Sequence, residues 1–136
     1  MNQVPSDAHL SSWAGISPGN NESAGKRYSG RITPGNKWLK ACLTEAAWAA
    51  SRTKDTYLKA RYHRLAARRG KKRAIVAVGH TILTMAYHII KEQSTYKELG
   101  ADYFERLNEN ATIKRLTLKI RKLGYQVEVT KTAAAA

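Results

Sequence analysis

Residues 74–90 read AIVAVGHTILTMAYHII, the longest apolar stretch of a 136-residue chain. Ile75, Val78, Ile82, Met85, Ala86 and Ile89 recur at helical spacing, and Val76, Leu83 and Ile90 widen the stripe. So wide a stripe predicts a central helix over Lys72–Gln93, onto which the others pack. Gly79 costs that helix up to about 1 kcal/mol against alanine, which points to close approach by a neighbouring helix. Gly79, His80, Thr81, Thr84 and His88 also break the apolar run short of the ~20 residues of a membrane span.

Upstream, NKWLKACLTEAAWAAS (36–51) predicts a helix burying Leu39, Leu43, Ala46 and Ala50. DTYLKARYHRLAARR (55–69) predicts another burying Leu58, Tyr62, Leu65 and Ala66, with Gly70 ending it. A short helix over 6–14 starts at Ser6 or Asp7, with Leu10 and Trp13 on one face. Residues 15–36 between them are loop by composition, with five glycines and two prolines. Such a length exceeds the usual ~4–6 residues of a connection and marks a functional or disordered segment. Downstream, 101–108 predicts a short helix and 111–123 an amphipathic one, with Ile113, Leu116, Ile120 and Leu123 as its stripe. YQVEVT (125–130) alternates like a strand but has no partner, so 126–136 reads as a tail. The fold expected is all-α, a compact helical domain of about four to six helices with a long Gly-rich basic loop near the N-terminus.

Charge narrows the function classes. The net charge is +14, and residues 26–73 hold fifteen basic side chains against two acidic ones, Glu45 and Asp55. Self-repulsion on that scale favours a polyanionic partner, and nucleic acid is the first candidate. The N-terminus shows no apolar leader, and an intracellular location is expected. The lone Cys42 excludes an internal disulfide and a Cys-rich zinc motif, and its neighbours Leu39, Leu43 and Ala46 predict a buried small hydrophobe.

His9, His63, His80 and His88 form no metal-ligand spacing, so no metal site is expected. No P-loop, GxGxxG or GxSxG is present, and the acidic residues of the first 73 positions are Asp7, Glu22, Glu45 and Asp55 alone. A self-contained magnesium nuclease needs more converging carboxylates than that. Two basic blocks remain. Arg64, Arg68, Arg69, Lys71, Lys72 and Arg73 flank a helix junction suited to phosphate. Lys26, Arg27, Arg31, Lys37 and Lys40 follow or line the glycine-rich loop. Within GNNESAGKRYSGR (19–31), Ser and Gly are ordinary loop composition; Ser23 and Ser29 are candidates to contact a phosphate or attack it, and composition does not separate them. The alternative for the 64–73 block is a solvated basic face, but the presence of the second block favours phosphate contact.

The order of WAGISPGNNES, KRYSGRITPGNKWL, EAAWAASRTK, RLAARRGKKRAIVAVGHTIL and YKELGADYF resembles the C-terminal domain of IS-one-ten family insertion-sequence transposases. The likeness runs over roughly 7–125, which makes 1–125 the transposase-like domain: a catalytic-type loop at 19–35, three main helices at 36–93 and C-terminal helices at 101–123. The resemblance implies a DNA recombinase guided by a bridge RNA. Its helical domain supplies a serine that joins covalently to DNA, and a RuvC-like domain supplies metal-binding carboxylates. The family serine follows a glutamate beyond a G-L/I-x-P turn. Here that pattern falls on Gly15, Ile16, Pro18, Glu22 and Ser23, so the nucleophile role goes to Ser23, with Ser29 as fallback. Ala24 stands where the family often has glycine.

The chain starts just before this region, so the expectation is a truncated transposase that binds nucleic acid but does not transpose alone. Its expected partners are DNA, bridge RNA, a RuvC-like domain or full-length transposase in trans, and further copies of itself, with no membrane. It carries no cofactor of its own; Mg2+ is expected only with the RuvC-like domain. The alternative is a non-catalytic DNA- or RNA-binding remnant that regulates the full-length enzyme.

Overall fold

The computed structural model describes residues 3–19 and 21–130. The chain divides into two compact units, residues 1–101 and 102–136. In order, the first contains α1 (Asp7–Ala14), β1 (Asn21–Ser23), β2 (Lys26–Ser29), α2 (Lys37–Arg52), α3 (Tyr57–Arg69) and α4 (Lys71–Glu92). The second contains α5 (Tyr103–Leu107) and α6 (Glu109–Lys122). The architecture is mainly helical, as the periodicity predicts.

α4 is the hub of the first unit. Toward its N-terminus, Ala74, Ile75 and Val78 pack with Ala47 of α2 and Tyr62 of α3, flanked by Leu58, Leu65 and Ala66. Toward its C-terminus, Leu83 packs with Leu43 of α2, Ala14 of α1 and Ile16, flanked by Leu10 and Leu39. Ile82 touches both clusters. This pairing makes α2 and α4 antiparallel. At their crossing, a Cβ on Gly79 would stand 3.3 Å from the Leu43 carbonyl oxygen. The mid-helix glycine is therefore the price of bringing two backbones together. By length and composition α4 would suffice to cross a membrane, yet Ala74, Ile75, Val78, Gly79, Leu83 and Tyr87 are buried. The Tyr87 hydroxyl donates to the carbonyls of Val4 and Pro5 at 3.2 and 3.0 Å, which ties the lead-in of α1 to the hub.

Caps set the helix starts. Ser6, Asn36 and Thr56 accept from the backbone N–H groups of His9, Leu39 and Lys59. A further cap on α3 arrives from far along the chain. Glu98 Oε1 accepts from Tyr57 N at 2.8 Å and Gly100 N at 3.1 Å, while its Oε2 accepts from the Tyr96 hydroxyl at 2.7 Å. Desolvation works to raise the Glu98 pKa, but these hydrogen bonds outweigh it and hold the carboxyl below its usual range. Burial, then the bond to Glu98, pushes the Tyr96 hydroxyl up to about 12. A carboxylate at a helix N-terminus also meets the positive end of the helix dipole.

Several expectations change. Trp13 is 61% exposed, because α1 turns Leu10, Ser11 and Ala14 inward instead. Cys42 is exposed, since α2 buries Leu43, Ala47 and Ser51 and position 42 falls outside that i, i+4 row. Ile90 at the end of α4 is also exposed. Residues 15–36 are not loop throughout, because 21–29 pair as a hairpin. In the second unit α6 forms, but no residue of it is buried, and Leu116, Ile120 and Leu123 are exposed. Residues 125–130 form no strand, and 131–136 of the expected tail lie outside the described residues.

Two titrating groups give a pH dependence. Burial, then the Arg61 charge, lowers the His80 pKa against an opposing pull from Asp7. The unfolded histidine takes up its proton near 6.5 while the folded one resists, so stability is full above that pH and falls as pH drops below it. Glu98 extends the loss below the ordinary carboxylate range, because its folded pKa is also depressed. Denaturant midpoints measured across pH should decline in two stages, and His80→Gln should flatten the upper one.

Candidate active site and nucleic-acid interface

Two glycines close the base of the serine hairpin. Gly15 ends α1 in the left-handed conformation, φ 71°, and its N–H caps the carbonyls of Ser11 and Ser12. Gly35 immediately precedes the Asn36 cap of α2. A Cβ on Gly15 would stand 2.8 Å from Gly35 N and Cα, and one on Gly35 would collide with Gly15 N and the Ala14 carbonyl. The two backbones thus touch at van der Waals distance, and neither position has room for a side chain. Ile16, next to this contact, is 4% exposed and plugs into the Leu43–Leu83 cluster.

From that base the chain runs out and back. Gly19 N donates to Arg31 O at 3.0 Å, and Pro18 bridges Ile32. Asn21 then pairs with Ser29, Glu22 with Arg27 and Ser23 with Lys26. Pairing is irregular between Asn21 and Glu22, which leaves Tyr28 as the extra residue. The turn is Ala24–Gly25, with φ 50° and 74°. Positive φ at both central residues is what a primed two-residue hairpin turn requires. Glycine accepts it freely, whereas alanine there costs about 1–2 kcal/mol.

Ser23 therefore sits at the tip, last in β1, exposed, directly before a strained alanine. Its hydroxyl makes no hydrogen bond among the described residues. Ser29 sits lower, half-buried, and its Oγ accepts from Arg31 N at 3.2 Å. One serine is thus engaged in a local turn and the other presents its oxygen to solvent.

The structure sorts the basic candidates into two groups. Lys26 and Arg31 are exposed on the hairpin, and Lys37 is exposed at the start of α2, its Nζ 5.3 Å from the Trp38 ring centre. The Arg27 side chain lies outside the described residues. Lys40 is half-buried, with Nζ donating to Thr33 O at 3.3 Å, which ties α2 to the returning hairpin strand. Arg64, Arg68 and Arg69 near the end of α3, with Lys71, Lys72 and Arg73 in the first turn of α4, form the second group, all exposed. Gly70 joins these helices at φ 84° and leaves the α4 N-terminus without a side-chain cap. Because α2 and α4 are antiparallel, the hairpin base lies level with Leu83 and the second group with Lys71. At 1.5 Å per residue the hairpin base and the α3–α4 junction stand about 18 Å apart along α4. A polyanion of that length would meet both ends of the helix.

Among the described residues no three His, Cys, Asp or Glu side chains converge on a possible metal position. Sequence reasoning overlooks the exposed rings of Trp13, Tyr28 and Trp38 beside the hairpin and the Glu98 cap. The rings carried a readable signal, since they interleave with Lys26, Arg31 and Lys37. The cap did not, because it joins residues 41 positions apart.

Residues 1–63 match the model of the transposase IS116/IS110/IS902 family. That stretch, somewhat under half of the chain, holds α1, the hairpin, α2 and the first half of α3. The segments at 64–83 and 96–104 that carry further resemblance lie outside it. No curated protein and no solved structure matches the chain.

Substitutions at the glycine contact and at the turn should separate its two parts. Gly35→Ala forces a methyl group into the Ala14 backbone and should cost about 1–3 kcal/mol or more. Ala24→Gly relieves the turn and should gain about 1 kcal/mol. Chemical denaturation of both variants against wild type measures each sign.

Proposed function

We propose that this chain is the serine-bearing, nucleic-acid-handling part of an IS110-family transposase, with Ser23 as the nucleophile of DNA strand cleavage and transfer. The observation that carries this reading is the Ser23 hydroxyl, exposed and without a hydrogen bond among the described residues, at the tip of a clamped hairpin within the family-matched residues. Ser29 serves less well, because its oxygen is already held by Arg31 N.

The reaction assigned to Ser23 exchanges esters. The serine oxygen bonds to a backbone phosphorus while the bond from phosphorus to the departing deoxyribose oxygen breaks. The departing oxygen takes up a proton, and the serine proton passes to solvent or to a base brought by a partner domain. One phosphate ester replaces another, so a deoxyribose hydroxyl attacking in reverse rejoins DNA and frees the serine. Lys26 lies directly across the ladder from Ser23. Its ammonium and the Arg31 guanidinium are suited to stabilise the added charge on the pentacoordinate phosphate.

The Arg64–Arg73 group holds flanking phosphates in this reading, giving register without sequence preference. Bridge RNA, a RuvC-like domain that brings its own Mg2+, and further copies of the chain complete the proposed assembly. No step assigned to this chain passes through a metal.

Incubation of the complete recombining assembly with labelled donor DNA, followed by denaturing electrophoresis, tests the assignment. A covalent protein–DNA adduct is expected with wild type and with Ser29→Ala, and not with Ser23→Ala. An adduct that survives Ser23→Ala refutes the nucleophile and leaves a binding role alone.

A further inference from the structure

Three large aromatic rings stand open to solvent around the hairpin: Trp13 at 61%, Tyr28 at 67% and Trp38 at 78% exposure. Nothing in the core accounts for them. Trp13 lies two residues before Gly15 and Trp38 three residues after Gly35, so the glycine contact brings both to the hairpin base. Tyr28 is the extra residue of the irregular pairing, on the hairpin itself. Trp48 behaves differently: its ring packs on buried Tyr62 with centres 6.1 Å apart.

The open rings alternate with cations. Lys26 precedes Tyr28 by two positions, Arg31 follows it by three, and Lys37 lies over Trp38. Large exposed apolar surfaces usually mark an interaction site. Rings interleaved with Lys and Arg match one chemistry in particular, a phosphate backbone whose bases are free to stack. A protein surface would ask the open rings for a dry, charge-poor surround. A duplex keeps its bases stacked on each other and offers these rings only its edges.

We infer that Trp13, Tyr28 and Trp38 form a stacking platform for an unpaired DNA strand at the foot of the serine hairpin. The inference rests on the proposed strand-transfer role, and it specifies the state of the DNA there: melted or displaced rather than duplex. The bases stack on the rings, Lys26, Arg31 and Lys37 follow the phosphates, and the strand is drawn toward Ser23.

The test uses the purified full chain with labelled oligo-dT, oligo-rU and a mixed-sequence duplex, read by fluorescence anisotropy and by tryptophan quenching. Trp38→Ala and Trp13→Ala should each weaken oligo-dT binding roughly 5- to 100-fold, as expected for loss of one base stack. Duplex binding should be unchanged, and Trp38→Phe should retain most of the affinity. Trp48→Phe is the control and should change nothing. Oligo-dT binding that is indifferent to Trp38→Ala and Trp13→Ala overturns the platform while leaving salt-dependent DNA binding, and with it the proposed function, intact. Tighter binding of oligo-rU than oligo-dT overturns the choice of DNA. No binding to any of the three at low salt removes the platform and the proposed role together.

Discussion

Two backbones meet at Gly15 and Gly35, and the serine hairpin exists in one orientation because they do. The contact closes a twenty-residue excursion into a fixed base, so that ordering the tip no longer carries the entropy of a free loop. Both sides of the contact are anchored independently: Gly15 is the C-terminal cap of α1, and Gly35 leads into the capped start of α2. Ile16 and Leu43 then seat the junction on Leu83 of α4. Position, in this design, comes from missing side chains at two points and a buried one beside them.

The same device recurs in the helical layer. Gly79 lets α4 approach α2 at the Leu43 backbone, between the two apolar clusters. That crossing fixes where the two ends of α4 lie. One end carries the hairpin and the other carries the cations of the α3–α4 junction. The spacing of the two basic groups is therefore a property of helix packing, and any polyanion that bridges them is measured against α4. The Glu98 carboxylate adds a third restraint, holding residues 96–100 to the start of α3.

The helical layer was legible in the sequence because its signal is local and periodic. Ile75, Val78 and Leu83 are buried at the spacing that predicts them, and the close approach expected at Gly79 is there. Nothing local in the sequence marks Tyr87 for the core, because its hydroxyl is satisfied by Val4 and Pro5, more than eighty positions away in sequence. The hairpin was hidden by its own composition. Its strands are polar and short, and its turn is Ala24–Gly25 rather than Asn-Gly, so neither alternation nor turn chemistry announces it. Cys42 shows the opposite error, where apolar neighbours in sequence suggested burial although helix geometry turns the side chain outward. Composition alone does not separate Ser23 from Ser29, because their different positions on the ladder, one at the tip and one with a backbone partner, are set by pairing that polar residues do not signal.

Amide hydrogen exchange tests the clamped hairpin most directly. The Gly19 N–H bonded to Arg31, the Ile16 N–H bonded to Ser11 and the ladder amides of β1 and β2 should be protected in wild type. That protection should collapse in Gly35→Ala while α4 amides stay slow. Hairpin amides that exchange at free-chain rates in the wild-type protein, beside a protected α4, would contradict it.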